Sequence, residues 1–451
     1  MKQRTYMLIG FFLSFLLSFV PFSVNLLTAT PTAAAPVPGL SFTQGVQKTV
    51  LDNGLTVLTK EVHTAPVVSV QVWYKVGSRN EGKGENGISH QLEHLMFKGT
   101  TDRPVQFGRL FSALGSQFNA FTSYDETAYF GTVQRDKLQA LLILEADRMK
   151  NALIGADQLK SEKRVVISEL QGYENSPSYR LNRAVMRAAF PNRAYGLMVG
   201  GTKADVENFT LEQVQNYYQT YYSPDNATLI ITGDFDTKSV LKSVKETFSK
   251  LKNSQGSTVN AQGSKPSTPI VLKEPGSAAL LQAVYPLPNI QHPDVPAIDV
   301  MDAILTGGRS SRLYQALVES GLASSVSGAA AELIEPGWYE IDATAAPGQK
   351  LEKISQVLQT SLSQLQQKAV SSEELNRAKT LLQASFVLDN QDITSQASQL
   401  GYNQTIAGDY RYIERYLSAI AKVTPEDVQR VAKTYLVPAK QTIGFFAHPL
   451  G

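Results

Sequence analysis

Residues 88–99 read ISHQLEHLMFKG and place two of the chain's five histidines four residues apart. If this segment is a helix that starts after the Asn-Gly pair at 86–87, His90 and His94 lie one turn apart on the same face. Two imidazoles in that arrangement can bind one Zn²⁺, and the carboxylate of Glu93 beside them can take a proton from the attacking water. The H-x-x-E-H pattern therefore predicts a zinc-dependent hydrolytic site.

The same segment has a simpler alternative, a helix that binds no metal. Leu92, Met96 and Phe97 give the segment an apolar face, so the helix could form for packing alone. Two histidines are also an incomplete ligand set, because a catalytic zinc takes three protein ligands and keeps one position open.

The third ligand has to come from another part of the chain. The sequence contains no cysteine, so this ligand would be an acid or a distant histidine. His63, His292 and His448 have no partner at ligand spacing, and we expect them to have structural roles. An acid is therefore the better candidate.

A second candidate helix, SEKRVVISELQGYE (161–174), offers Glu162, Glu169 and Glu174. Glu162 and Glu169 are seven residues apart and share one helix face, so one could bind the metal while the other supports it. An exposed face with ion pairs is the alternative, and the spacing alone does not decide between the two.

The first 35 residues have the organisation of a secretory signal peptide. Two basic residues precede an apolar run at 7–20, and an A-x-A site follows at 33–35. We therefore expect export to the periplasm, the cell envelope or the extracellular space. An uncleaved anchor over residues 7–27 is the alternative, and only this anchor would hold the protein at a membrane.

The composition is that of an ordinary globular protein, with 43% hydrophobic and 18% charged residues. A length of 451 residues predicts two or three domains. Residues 1–35 carry two basic residues and no acid, so their removal takes the formal net charge from +2 to zero. A neutral protein has no electrostatic basis for binding nucleic acid. Without cysteine, an exported chain depends on core burial and not on disulfides.

The sequence repeats itself once. Residues 210–235 align with residues 424–449 at an offset of 214, with TLEQVQNYYQTYY over TPEDVQRVAKTYL. Between the copies, residues 252–269 (KNSQGSTVNAQGSKPSTP) are polar and have the composition of a flexible linker. A second match, VLTKE (57–61) over IVLKE (270–274), has an offset of 213. The nearly constant offset predicts a tandem duplication that gives two domains.

Each predicted domain, at 45–251 and 270–451, mixes strands and helices. The segment 67–76 alternates apolar and polar residues as a half-buried strand does, and the segments 137–154 and 158–173 have helical periodicity. These patterns predict an α/β (α+β) fold of two homologous domains, each an antiparallel-rich sheet packed with helices.

The segment HQLEH (90–94), with the later Glu162 and Glu169, resembles the pitrilysin/insulinase family of zinc peptidases, the inverzincins. This family includes short bacterial zinc proteases and the β subunit of the mitochondrial processing peptidase. Three further segments resemble signatures of the family: NAFTSYDETAYF (119–130), YYSPDNATLIITGDFD (221–236) and GGRSSRLYQALVESGLASSV (307–326). The similarity covers residues 45–448.

The resemblance implies a zinc metalloendopeptidase with one Zn²⁺ per chain. Its metal ligands would be His90, His94 and Glu169. Glu93 would be the general base and then the proton donor to the leaving amine, with Glu162 in support. The second half contains no H-x-x-E-H, as the family leads us to expect.

The resemblance also implies how a substrate binds. The segment Asn119, Ala120 and Phe121 would take an unfolded or extended peptide as an added β-strand, a mode that recognises backbone largely independently of sequence. Chains of this length in the family enclose the peptide with a second subunit. We therefore expect a homodimer, or a heterodimer with a related subunit.

One segment departs from the family pattern. The family often has LREKRGLAYSV, whose Arg and Tyr bind the substrate carbonyl near the zinc, whereas this chain has LVESGLASSV (317–326). Val318 and Ser324 stand where the Arg and Tyr would be, and neither supplies a charge or a phenol. Two alternatives follow: the site relies on zinc alone, or a partner subunit carrying the missing pair completes it. A separate rival is a non-catalytic, peptide-binding subunit of the same fold.

Overall fold

Two mixed β-sheets organise the chain, one in each half of the sequence. The computed structural model describes residues 41–191, 193–254, 270–273 and 279–447. The predicted signal peptide, most of the predicted linker and His448 lie outside these residues. Within them, no helix has the length and apolar character needed to cross a membrane.

The first half alternates strands and helices. Its strands are β1 (Gln47–Val50), β2 (Thr56–Glu61), β3 (Val67–Tyr74), β4 (Gln117–Thr122), β5 (Thr127–Gln134) and β6 (Ala227–Gly233). Its helices are α1 (Ile88–Leu95), α2 (Phe107–Ala113), α3 (Leu138–Asn151), α4 (Ala156–Glu174), α5 (Pro177–Ala189), α6 (Lys203–Asn208), α7 (Leu211–Tyr221) and α8 (Thr237–Phe248).

The second half follows the same plan. Its strands are β7 (Ile270–Lys273), β8 (Leu280–Pro286), β9 (Ala323–Ala331), β10 (Trp338–Ala345) and β11 (Thr442–Ala447). Its helices are α9 (Val295–Thr306), α10 (Leu351–Gln367), α11 (Ser372–Asp389), α12 (Ile393–Thr405), α13 (Tyr412–Lys422) and α14 (Pro425–Tyr435). A short π-helical segment, Tyr314–Glu319, precedes β9.

The two sheets repeat one strand order. The first runs β1-β2-β6-β3-β5-β4 and the second β7-β11-β8-β10-β9, so without β1 the orders correspond strand by strand. Strands β2 and β6 pair in parallel, as do β7 and β11, and the other neighbours are antiparallel. The predicted fold class is confirmed: two homologous α/β (α+β) domains with antiparallel-rich sheets.

One helix of each half packs on the sheet of the other half. Helix α5 lies on β8 and β11, and helix α12 lies on β3 and β6. A Cβ at Gly401 on α12 would lie 2.4 Å from the Trp73 ring, and one at Gly444 on β11 would lie 2.3 Å from Val185 on α5. Glycine at both positions allows this close approach. Each half therefore completes the core of the other.

Strand β3 corrects the prediction of a half-buried strand. Its residues from Val68 to Tyr74 are all buried, because α3 covers one face of the strand and α12 covers the other. The alternation of apolar and polar residues in β3 therefore does not mark a face exposed to solvent. The side chain of Gln71 donates from Nε2 to the Thr394 carbonyl on α12 at 2.9 Å. The amide of Gln71 therefore contacts α12, the helix from the second half, and not solvent.

The two long helices that follow lie close to their predicted positions. Helix α3 ends at Asn151, short of the predicted residue 154, because Ala152 leaves the helical region with a ψ of 131°. Gly155 then adopts an extended conformation as the N-cap of α4. Helix α4 carries Glu162 and Glu169 toward α1, which sits beside it.

Candidate metal centre

A glycine and a half-buried acid fix the start of helix α1. Gly87 has a φ of 93°, and a Cβ there would lie 2.4 Å from the carbonyl oxygen of Gly200, so only glycine fits. The carboxylate of Glu81 accepts hydrogen bonds from the backbone N–H groups of Gly87 (2.8 Å) and Ser89 (3.0 Å). Burial raises the pKa of Glu81 to about 7, against the effect of these bonds. Helix α1 is thereby held with its histidines facing α4.

His90, His94 and Glu169 each bring one ligand atom to a common point. The Nε2 atoms of His90 and His94 lie 3.8 and 3.3 Å from Oε2 of Glu169, and all the candidate ligand atoms lie within 4.8 Å of one another. Around a tetrahedral Zn²⁺ with bonds of about 2.0–2.1 Å, ligand atoms are about 3.3 Å apart. Two imidazoles and one carboxylate at these separations fit zinc and leave a fourth position open.

Tyr173 hydrogen-bonds the carboxylate oxygen of Glu169 that does not face the histidines. It lies one turn further along α4, and its hydroxyl donates to Oε1 of Glu169 at 2.5 Å. The other oxygen, Oε2, faces the histidines. Burial raises the pKa of Glu169, but the bonds and charges of His94, His90 and Tyr173 outweigh burial and lower the pKa to about 2. The group is therefore an anion across the physiological pH range, as a metal ligand has to be.

Glu162 lies behind His94. Its Oε2 is 3.5 Å from Nδ1 of His94, and its Oε1 contacts Nζ of Lys98. Burial lowers the pKa of His94, but the carboxylates, Glu162 first and then Glu169, outweigh burial and raise the pKa to about 10. A carboxylate on the far nitrogen of a ligating imidazole fixes the ring orientation. Glu162 stands where such a support has to be.

The remaining candidates from the sequence lie away from this point. Glu174 pairs with Arg183. His63 is exposed and lies 2.7 Å from a carboxylate oxygen of Asp234. His292 accepts a 3.1 Å hydrogen bond from a backbone N–H two residues along the chain.

Glu93 is tied to the neighbouring strand by Thr122. The Thr122 hydroxyl donates to Oε2 of Glu93 at 2.6 Å. Thr122 is the last residue of β4. This bond uses one carboxylate oxygen and fixes the rotamer of the side chain beside the two histidines.

Strand β4 carries the predicted substrate segment and forms one edge of the first sheet, with β5 as its neighbour. Asn119 is exposed, and Ala120 packs against the first core. The ring of Phe121 meets Trp73 edge-on at 5.4 Å. An edge strand has unpaired backbone groups that can bind an added strand. The structure therefore brings a strand able to accept a peptide next to Glu93.

The two positions that depart from the family pattern lie in the second half. Val318 is part of the π-helical segment and packs against the second core. Ser324 is exposed near the start of β9, and its hydroxyl donates to the Thr344 carbonyl at 3.3 Å.

Comparison with known families gives the same assignment to both halves. Residues 56–203 match Insulinase (Peptidase family M16), and residues 208–382 match Peptidase M16 inactive domain. The chain belongs to peptidase family M16. The predicted family resemblance is thereby confirmed, and the inactive-domain match, which begins in the first half at residue 208 and ends at residue 382, contains no H-x-x-E-H segment.

Relatives and solved structures of family M16 cover most of this chain. A relative from Mycobacterium leprae, named as an uncharacterized zinc protease, is 30% identical over 406 residues, which are 87% of this chain and 89% of the relative. The zinc protease PqqE of Helicobacter pylori is 28% identical over 424 residues, 92% of this chain and 95% of the relative. The crystal structure of a protease from Helicobacter pylori has a TM-score of 0.84 and 27% identity, and it covers 89% of this chain and 99% of that chain. Zinc in the names of these relatives agrees with the predicted cofactor.

Three residues that support the candidate metal centre were not identified from the sequence. Thr122 lies one residue beyond the predicted substrate segment, and Tyr173 lies four residues after Glu169, so its helical spacing was a usable signal. Glu81 gave no signal, because its partners are backbone groups of a helix that begins several residues later.

Proposed function

We propose that this M16 chain is a zinc-dependent endopeptidase that cleaves unfolded or extended peptides, with Glu93 as its general base. The observation that carries the proposal is the convergence of His90, His94 and Glu169 with Glu93 beside them. The names of the relatives, zinc proteases, support the same activity. A purely structural helix has no need of a base beside a ligand cluster.

Each side chain has a distinct role in this proposal. His90, His94 and Glu169 would hold the metal. Bound zinc supplies a Lewis acid that polarises the scissile carbonyl and lowers the pKa of water to about 7. Glu93 accepts the proton of the attacking water at a carboxylate oxygen and then gives that proton to the leaving amine nitrogen. Glu162 keeps the ring of His94 in place.

The edge position of β4 supports an extended peptide as the substrate. A peptide added beside Asn119, Ala120 and Phe121 would continue the sheet by backbone hydrogen bonds, which folded proteins rarely offer. Thr122, the next residue, connects that strand to Glu93. The scissile bond would then be presented beside the base.

The decisive experiment is cleavage of an unstructured fluorogenic peptide by residues 36–451, with the zinc content measured on the same sample. Glu93→Gln keeps the shape of the side chain and the metal ligands but cannot take the proton. We expect the variant to keep its zinc and to lose about 100- to 10,000-fold in rate. Equal cleavage by both proteins would show that Glu93 is not the base.

A partner-dependent enzyme is the second candidate, and the position of Val318 favours it. Val318 packs against the second core, where the family pattern has an arginine that contacts substrate. Losing such a donor removes about 3 kcal/mol of transition-state stabilisation. A related subunit could supply the pair across a dimer. A zinc-loaded protein that cleaves no peptide alone, and gains activity when mixed with such a subunit, would identify this case.

Export remains a proposal that rests on residues 1–35. The basic start, the apolar run and the A-x-A site support a cleaved signal peptide. N-terminal sequencing of the protein from its native cells is expected to give a start near residue 36. An intact N-terminus would instead favour the membrane anchor.

A further inference from the structure

The face of the second sheet that carries α5 has an acidic pair with no basic partner. Glu340 and Asp342 lie two residues apart on β10, and both point to this face, because the residues between and beside them belong to the second core. Among the described residues, no lysine, arginine or histidine forms an ion pair with either carboxylate. Burial raises the pKa of Glu340, and burial together with the charge of Glu340 raises the pKa of Asp342. Both side chains are half-buried, and a raised pKa favours the neutral carboxyl, whereas a bound cation would favour the charged form.

Gln282, a buried amide next to the pair, bonds Asp342 and Asn182 but has one atom without a partner. Gln282 on β8 lies directly opposite Asp342 in the sheet register and is only 3% exposed. Its Nε2 donates to Oδ1 of Asn182 on α5 at 3.1 Å. Its Oε1 has no hydrogen-bond partner in the part of the chain that the structure describes. A buried carbonyl oxygen without a donor points to a ligand that supplies one.

The first sheet provides an internal control for this arrangement. Gln71 on β3 corresponds to Gln282, and its Oε1 accepts a 2.8 Å bond from Nε1 of Trp73. Opposite Gln71 stands Phe130, where the second sheet has Asp342. Ala128 likewise stands where the second sheet has Glu340. The repeated fold therefore does not require acids at these places, and the second half alone carries them.

The acidic pair has exposed neighbours on one side and is connected through Trp338 to Tyr124 on another. Ser327 and Ala329, its neighbours on the edge strand β9, are exposed. Glu340 accepts a 3.2 Å bond from Nε1 of Trp338, and the Trp338 ring meets Tyr124 edge-on at 5.5 Å. Tyr124 follows Thr122, the residue that holds Glu93, by two positions in the chain. These contacts connect the acidic pair to the segment that directly follows β4.

We propose that Glu340, Asp342 and Gln282 form a subsite for the arginine side chain of a peptide substrate. Carboxylates two positions apart on a strand are separated by about 6.7 Å along the backbone, which suits a wide donor better than a single ion. A guanidinium group has five N–H donors and can serve both carboxylates and the amide oxygen together. The subsite makes the enzyme prefer arginine-containing peptides, and this inference rests on the proposed peptidase function.

The test measures binding and therefore does not depend on cleavage. The protein is used as Glu93→Gln, and the probes are fluorescein-labelled, unstructured peptides with one arginine at successive positions. A matched set has citrulline, a neutral isostere, in place of arginine. At one position the arginine peptide is expected to bind about ten-fold tighter than its citrulline counterpart by fluorescence anisotropy.

Adding Glu340→Gln and Asp342→Asn is expected to abolish this preference without weakening the citrulline peptide. The melting temperature of this variant is expected to change little, because the amides replace carboxyls that have no basic partner to lose. Asp302→Asn is the control, because Asp302 is a half-buried acid of the same half that accepts a bond from Tyr339 on the opposite face of the sheet. This control is expected to keep the arginine preference.

Three results would overturn the subsite: equal binding of both peptide sets at every position, no measurable binding of either set, or a preference that survives the double substitution. Failure of the proposed catalysis gives a different result. A parent protein that cleaves nothing, while its arginine preference depends on Glu340 and Asp342, would retain the subsite and remove the peptidase.

Discussion

The hydroxyl of Thr122 donates a 2.6 Å hydrogen bond to Oε2 of Glu93, so the strand offered to the substrate also holds the proposed base. Thr122→Val keeps the shape of the side chain and removes the donor. We expect kcat to fall about ten-fold, the effect of one bond to a charged group, with KM nearly unchanged. Thr122→Ser restores the hydroxyl and is expected to recover most of the rate. A valine variant with the wild-type kcat would show that the bond does not position Glu93.

The bond from Tyr173 to Glu169 predicts an effect on metal affinity. Tyr173→Phe removes the donor behind the ligand, and partners of this kind are worth about 10- to 100-fold in metal affinity. Competition with a fluorescent chelator measures the zinc dissociation constant directly. Tyr179→Phe is the control, because its ring stacks on Tyr173 at 5.6 Å. Equal zinc affinity in the two variants would contradict the role given to Tyr173.

Replacing glycine by alanine is expected to have opposite effects on stability at two positions, one on α12 and one on α4. A Cβ at Gly401 would lie 2.4 Å from the buried Trp73 ring. We expect Gly401→Ala to lower the free energy of unfolding by about 1–3 kcal/mol, despite the better helix propensity of alanine. At Gly172 on α4 a Cβ meets nothing within 4 Å, so alanine there is expected to raise the free energy by about 0.5–1 kcal/mol. Urea unfolding measures both, and a stabilising Gly401→Ala would refute the packing argument.

A pH-dependent contribution to stability is expected from Glu374 and Arg312. Two N–H groups of Arg312 bond the two carboxylate oxygens at 2.8 and 3.0 Å, and this pairing, more than any other interaction, lowers the pKa of Glu374 to about 2. Because the folded pKa lies below the unfolded value of about 4.3, the contribution is complete above pH 4.3 and disappears as the pH falls toward 2. About a quarter of the carboxylate side chain is exposed, so we expect a contribution of about 1 kcal/mol at pH 7.

Glu374→Gln isolates this charge, because glutamine at the third helical position can still cap the start of α11. The difference in urea midpoint between wild type and variant is expected to be largest near pH 7 and to vanish near pH 2. A difference that stays constant across this range would mean that the ion pair contributes nothing.

The metal centre was accessible to sequence reasoning because its first part is local. His90, Glu93 and His94 occupy one turn, and a turn has fixed geometry wherever it lies in a fold. Glu169 is on another helix, and its spacing to Glu162 fitted an exposed ion-paired face equally well. The family resemblance selected Glu169, and the structure brings it to the histidines.

The exchange of α5 and α12 could not be predicted from the same patterns. Periodicity shows that a face of a strand or helix is buried, but it does not identify the element that covers it. The polar residue Gln71 therefore indicated a solvent-exposed position, whereas its side chain bonds α12. Thr122 presented the same difficulty, since its partner lies on a different element and the pairing follows from the tertiary fold.

Because α5 and α12 each cover the sheet of the other half, the two halves depend on each other. A mutation that deleted the second half, which lacks the metal ligands, would strip α12 from the first sheet and leave Leu58, Trp73, Ala128 and Ile230 uncovered. Such an apolar surface favours aggregation. The second half, although it contains no H-x-x-E-H segment, is therefore expected to act as an obligatory folding partner of the half that carries the candidate metal ligands.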